Sequence, residues 1–272
     1  MNQGDKRRGS SARLAVAGLA LTLLAGWSAP AAPALSGAVA PGQRNPEVAI
    51  PLTDPIGETL LLRSRARADV FPLMEAWITQ ANLAFCGVAS AVMVLNSLGI
   101  PAPAAAGYAP YRFWTQDNLF DAPAARAVAA PEAVARRGLT LDQLAALLAA
   151  NGVRVERWHG DQLSLPQLRG LVQRGLADPG DRLLVNYHRP ELGQNGGGHI
   201  SPLAAYDARS DRVLILDVAR YRYPAAWVPL ARLWPAIRAV DPDSNLSRGL
   251  VRIHPQEVGP PPPGSARRPG PS

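Results

Sequence analysis

The chain has 272 residues, a formal charge of +7 and a single cysteine. That length suits one ordinary domain once segments at its two ends are set aside. The charge names no partner. About +3 remains over residues 41–255, spread without a basic stripe, and Lys6 is the sole lysine, so nucleic-acid binding and zinc-finger chemistry are both excluded as readings.

Residues 1–34 read as a cleaved secretory signal. Lys6, Arg7, Arg8 and Arg13 precede the apolar stretch "LAVAGLALTLLAGW", and small residues follow, with "APA" at 29–31 and "AVA" at 38–40. The stretch is too short to cross a roughly 30 Å hydrocarbon core comfortably. A cut falls between 31 and 40, and a retained N-terminal anchor is the rival. Export to the periplasm or outside the cell is therefore expected, with no integral membrane segment after cleavage. In such an oxidising compartment a lone cysteine has no intramolecular disulfide partner, so it is either buried or used.

Residues 41–255 form the expected domain. "ETLLLRS" is a short strand or the first turn of a helix. Apolar residues at 88, 92, 95 and 98 carry helical spacing that stops at Gly99. Residues 101–138 read as short helical pieces joined by proline-rich loops. "LTLDQLAALLAANG" is an amphipathic helix with Thr140 as N-cap and Gln143 three residues on. "VRVERW" alternates as a strand, and "SLPQLRGLVQRGLA" is a helix capped by Ser164. "DRLLVNYHR", "GHISPLAAY" and "RVLILDVAR" are strands, the last two joined by a "DARSD" hairpin turn. "LARLWPAIRAV" is a helix kinked or broken at Pro235, and "RGLVRIH" is a last strand. Residues 256–272 form a proline-rich tail expected to be disordered. The sum is an α+β domain, helices first and an antiparallel sheet after.

Cys86 sits at the start of its helix, beside Gly87. A thiolate there gains from the helix N-terminus and its free amides, although an apolar setting equally suits an inert core cysteine. A nucleophilic thiol needs a base and a group to orient that base. Among four histidines, His159 reads as a surface turn residue, His188 leaves a strand and His254 lies at the domain edge. His199 follows the glycine cluster "GQNGGG" and opens a strand. Asp217 ends an apolar strand, where a carboxylate must find a partner or an edge. The hairpin puts it near His199, with Pro202 expected to interrupt the ladder. Gln80, six residues before Cys86, is a candidate oxyanion donor together with the Cys86 amide.

Four blocks, "FPLMEAWITQANLAFCGVASAVMVLNSLGIPAP", "YRFWTQDNLF", "GGGHISPLAAYD" and "LDVARYRYPAAWV", together resemble the phytochelatin synthase family, in order from about residue 55 to 254. The similarity is greatest to its short bacterial members, which hydrolyse glutathione. The resemblance implies a papain-like cysteine peptidase fold and cleavage of the Cys–Gly bond of glutathione. It carries the family's nucleophile to Cys86, its histidine to His199, its aspartate to Asp217 and its oxyanion glutamine to Gln80. It carries the substrate-holding arginine to Arg248, with Gly198, Arg220 and Arg222 as further substrate-binding candidates.

The larger eukaryotic members add a cysteine-rich region that this chain lacks, so hydrolysis or a single transfer is expected over sustained phytochelatin synthesis. No tightly bound cofactor is expected. Cadmium or zinc would enter as a glutathione-thiolate complex, and a homodimer is compatible with the resemblance. Two rivals stand beside this reading. One is a papain-like peptidase acting on a double-glycine leader, and the other is a binding domain with an inert thiol.

Overall fold

The computed structural model describes residues 48–256. Residues 1–47, which include the expected signal segment, and residues 257–272 lie outside the described residues. Helices α1 (Pro55–Arg63), α2 (Val70–Glu75) and α3 (Cys86–Ser97) open the domain, followed by α4 (Pro123–Val128), α5 (Pro131–Arg137) and α6 (Leu141–Ala150). Helices α7 (Leu165–Gly175) and α8 (Leu230–Arg238) alternate with strands. These strands are β1 (Ile50–Pro51), β2 (Val153–His159), β3 (Arg182–His188), β4 (Gly198–Asp207), β5 (Arg212–Ile215) and β6 (Ala226–Pro229). The chain continues through β7 (Val240–Asp241), β8 (Leu246–Ser247) and β9 (Gly249–Pro255). Seven strands make one antiparallel sheet in the order β1-β6-β5-β4-β3-β9-β2.

Alternation along the strands feeds two apolar layers, one on each face of the sheet. Leu184, Ile200, Ala204, Leu214, Val251 and Ile253 join the core of α3 and α6. Leu183, Val185, Leu203, Val213, Ile215 and Leu250 join the core of α7 and α8. Residues of α3 from Cys86 to Leu95 are all buried, so this helix is a rod inside the first layer. The whole is the α+β architecture of a papain-like domain, with a buried cysteine opening a helix that packs on an antiparallel sheet.

Local chemistry explains the helices the sequence made plain. Thr140 and Ser164 both form complete capping boxes, with Gln143 and Gln167 returning the bond, each worth about 1 kcal/mol. Asn151 and left-handed Gly152 (φ 87°) close α6.

Four expectations meet different outcomes. "ETLLLRS" is helical, not a strand: residues 58–63 lie in α1, which Asp54 caps and Pro55 begins, and Ser64 is its C-cap. Helix α8 runs through Pro235 without a break. The β4–β5 pairing runs from Asp207 to Leu203, with an irregularity at 203–205, and ends at Pro202 as expected; Pro202 stays paired with Leu184 of β3, and its carbonyl still accepts from Leu216 N at 3.0 Å. His159 is no surface residue. It is buried, with Nδ1 2.6 Å from Ser247 O and Nε2 3.0 Å from Asp142 Oδ1, binding the start of α6 to β8.

Candidate active site

Helix α3 starts without a side-chain cap, because Phe85 occupies the N-cap position and offers none. The first amides of the helix are therefore left for other acceptors. Burial pushes the Cys86 thiol up. The hydrogen bond and charge of His199, with the backbone N–H groups of Ile200 and Gly87, outweigh burial and hold the thiol below its ordinary value.

Gly87 lets α3 come close to the strand that carries His199. A Cβ there would lie 3.1 Å from both Ile200 Cδ1 and Leu139 Cδ1. One helical turn on, Ser90 Oγ donates to Ile200 O at 3.1 Å, fixing helix and strand together next to His199.

His199 is buried and faces Tyr187 across the β3–β4 pair, ring centroids 5.6 Å apart. Its Nε2 lies 2.8 Å from Asp217 Oδ1 and 3.0 Å from Ser201 Oγ. With Nε2 committed to the carboxylate, the hydrogen bond to Cys86 falls to Nδ1. Burial works to lower the His199 value, and the bonds to Asp217 and Cys86 raise it above the ordinary range.

Asp217 lies two residues beyond β5, not within the strand as its sequence suggested. Burial would raise its value, but His199 and Arg189 keep it well below the usual carboxylate range. Arg189 grips both carboxylate oxygens, with Nη2 at 3.2 Å from Oδ1 and Nη1 at 2.9 Å from Oδ2. Ala219 N donates to Oδ1 at 2.8 Å and Tyr187 OH reaches Oδ2 at 3.4 Å. Arg189 also bonds Gln194 in the glycine loop and stacks over Tyr223 at 4.6 Å.

Sequence reading had passed over Arg189, Tyr187 and Ser201. The available signal was a charge at the end of the apolar run "RLLVNYHR", where a cation must be paired.

A cleft of about 370 Å³ holds Cys86 and His199, and Gly198, Asn186, Asp241 and Arg248 line it. Arg248 is buried, not a surface cation. Its Nη1 lies 3.0 Å from Asn186 Oδ1 and 3.3 Å from Asp241 Oδ2, while its Nε is buried without a partner. A Cβ at Gly198 would displace the Arg248 guanidinium from its present position. Arg220 and Arg222 do not line this cleft; they are exposed, stacked over Trp77 at 4.5 Å and Tyr223 at 5.5 Å.

Gln80 is buried, its backbone N–H donating to Val218 O at 3.0 Å, one residue from Asp217. Its side-chain Nε2 donates to Asn82 O at 2.7 Å, which uses one of two amide hydrogens. A larger cavity, about 550 Å³ between Pro72, Val92 and Trp114, contains none of these residues. Among the described residues, no group of three or more His, Cys, Asp or Glu is arranged to hold a metal ion.

A lowered thiol, an imidazole, a clamped carboxylate and a cleft with a buried arginine define a thiol–imidazole site on a papain-like frame, suited to acyl transfer from an anionic substrate. Comparison with known proteins gives the family. The profile described as Phytochelatin synthase matches residues 43–250, and the chain belongs to that family.

Glutathione gamma-glutamylcysteinyltransferase 3 of Lotus japonicus is 34% identical over 208 residues, 75% of this chain and 42% of that protein. Glutathione gamma-glutamylcysteinyltransferase 2 of Arabidopsis thaliana is 36% identical over 183 residues, 67% of this chain and 39% of that protein. The Schizosaccharomyces pombe glutathione gamma-glutamylcysteinyltransferase is 27% identical over 217 residues, 78% of this chain and 50% of that protein. This chain thus spans half or less of the length of these relatives.

Proposed function

We propose that this chain cleaves the Cys–Gly peptide bond of glutathione. The observation that carries the reading is the Cys86–His199–Asp217 constellation opening into the cleft that holds buried Arg248, in a chain of this family. Cys86 Sγ attacks the carbonyl carbon of the substrate cysteine residue. The oxygen takes up the negative charge, facing the Cys86 N–H and the free hydrogen of the Gln80 amide. As the C–N bond breaks, His199 Nδ1 gives its proton to the departing glycine nitrogen, leaving a γ-glutamylcysteinyl thioester on Cys86. Water releases γ-glutamylcysteine, or the amine of a second glutathione takes the acyl group. His199 receives the attacking group's proton in either case.

Arg248 fits the α-carboxylate of the glutamyl end. It is already desolvated and lines the cleft into which Cys86 opens. Arg220 and Arg222, exposed and away from the cleft lining, stay lesser candidates for substrate binding in this reading. A divalent metal belongs here as substrate, carried in on glutathione thiolates. The preference for hydrolysis or a single transfer, and export from the cytoplasm, rest on the resemblance and on the N-terminal sequence pattern.

The test is glycine release from glutathione by the purified chain, followed by mass spectrometry. Wild type should release glycine and Cys86→Ala should not. A wild type that leaves glutathione intact but cuts a double-glycine leader peptide would transfer the reading to peptide cleavage. Undiminished release from Cys86→Ala would remove the thiol from the mechanism.

A further inference from the structure

The block "YRFWTQDNLF" takes no part in the chemistry above, yet one of its side chains brackets Gln80. Gln116 Oε1 accepts from Ala81 N at 2.8 Å, and Gln116 Nε2 donates to Thr79 O at 3.0 Å. A single carboxamide therefore bonds the backbone on both sides of Gln80, as a neighbouring strand would. Residues 77–80 are irregular and have no strand partner of their own. Gln80 N itself donates to Val218 O.

Gln116 is itself held in place from α3. Asn96, on the last turn of that helix, bonds Trp114 twice, with Nδ2 donating to Trp114 O and Oδ1 accepting from Trp114 N, both at 2.9 Å. Asn118 Oδ1 accepts from Thr115 N at 2.8 Å and its Nδ2 donates to Phe113 O at 2.9 Å, stiffening the turn between them. Two carboxamide clamps in series thus run from the helix that carries Cys86 to the segment that carries Gln80. Thiol and oxyanion donor share one rigid reference.

We propose that Gln116 is a positioning residue that acts through Gln80, holding its amide at the site where the oxyanion forms. This inference rests on the role given to Gln80 above. An oxyanion donor helps only if it is preorganised, and a displacement on the order of 1 Å can cost about a hundredfold in rate. Gln116 is half-buried and lines none of the Cys86 cleft, so its loss should leave substrate binding alone.

A double-mutant cycle on the full chain tests this, with glycine release from glutathione as the rate. Gln116→Ala should lower kcat by tenfold or more with KM within twofold of wild type. In a Gln80→Ala background the same change should cost less than twofold, because the group it positions is gone. Equal factors in both backgrounds, or a kcat loss matched by a KM rise, would overturn the proposal.

Should Gln116→Ala melt early, Gln116→Glu keeps the acceptor for Ala81 N and turns the donor to Thr79 O into an acceptor that repels it, so that end of the clamp opens. It should show a kcat loss of tenfold or more, with KM within twofold of wild type. Amide hydrogen exchange separates this inference from the proposed reaction, since it needs no turnover. Gln116→Ala should speed exchange at Gln80 and Ala81 at least tenfold while α3 is unchanged. Unaltered exchange there removes the clamp even if wild type never acts on glutathione.

Discussion

At Cys86, burial and ionisation oppose each other, and the outcome is set by one neighbour. Without His199 the buried thiol would be raised and inert; with it, the thiol falls below and the imidazole rises above their ordinary values. The thiolate–imidazolium pair therefore exists in a window that opens as pH rises through the lowered Cys86 value and closes as pH rises through the raised His199 value. Glycine release should follow a bell-shaped curve with those limbs. Asp217→Asn removes the charge that helps raise His199, so the basic limb should move to lower pH, and kcat should fall by roughly a hundredfold or more. A profile of kcat/KM against pH for both proteins checks this; an unmoved basic limb would mean that Asp217 does not set the His199 charge. Arg189→Lys is not conservative here. The two Nη atoms that hold Asp217 cannot be replaced by one ammonium.

Between elements, what matters is how closely α3 approaches β4. Gly87→Ala would push Ile200 and Leu139 by a few tenths of an ångström, and Ile200 follows His199 directly. The expected result is a kcat lower by about tenfold with little change in melting temperature, since geometry at the thiol is lost before packing is. Steady-state kinetics beside a thermal melt decides it, and a variant of wild-type kcat would show that the contact has slack. The elements in this contact were legible in sequence because their signals are local. The Thr140 and Ser164 capping boxes, the apolar spacing along α3 and the hairpin around "DARSD" each act within a few residues. Hidden features depend on partners distant in the chain. His159 looked like a turn residue because Asp142 and Ser247, which bury it, lie 17 and 88 positions away. Arg189 drew no attention because Asp217 is 28 positions on. Pro202 was legible as the end of the β4–β5 pairing, but its carbonyl, still bonded by Leu216, is invisible to a rule about missing N–H groups.

Across the molecule, β3 connects the cleft to a second buried polar centre. Asn186 and Tyr187 reach the site from one end of the strand, and Arg182 at the other end grips the close of α3. Its Nε and Nη2 donate to Ser97 Oγ and Ser97 O, both at 3.0 Å, a cation placed where the helix dipole favours it. The same guanidinium bonds Asp69 Oδ1 at 3.1 Å, while Asp69 Oδ2 has no partner. Burial pushes Asp69 up to about 8; Arg182 pulls it down, and Asp181 and Asp178 add to the rise. The unfolded chain returns Asp69 to about 3.9. A folded value above the unfolded one gives a contribution fully present below about pH 4 and lost as pH rises through about 8. Between those values the cost can reach roughly 1.4 kcal/mol per pH unit. Asp69→Asn keeps a carbonyl for Arg182 and removes the titration. Urea melts of both proteins from pH 5 to pH 9 should show wild type losing stability relative to Asp69→Asn with each step towards pH 8, then a constant difference above it. The Cys86–His199 pair is common to both proteins and cancels in that difference. A difference that stays flat from pH 5 to pH 9 would mean that Arg182 keeps Asp69 ionised throughout. The far end of α3 would then be fastened by a permanent ion pair, and stability there would not depend on a proton.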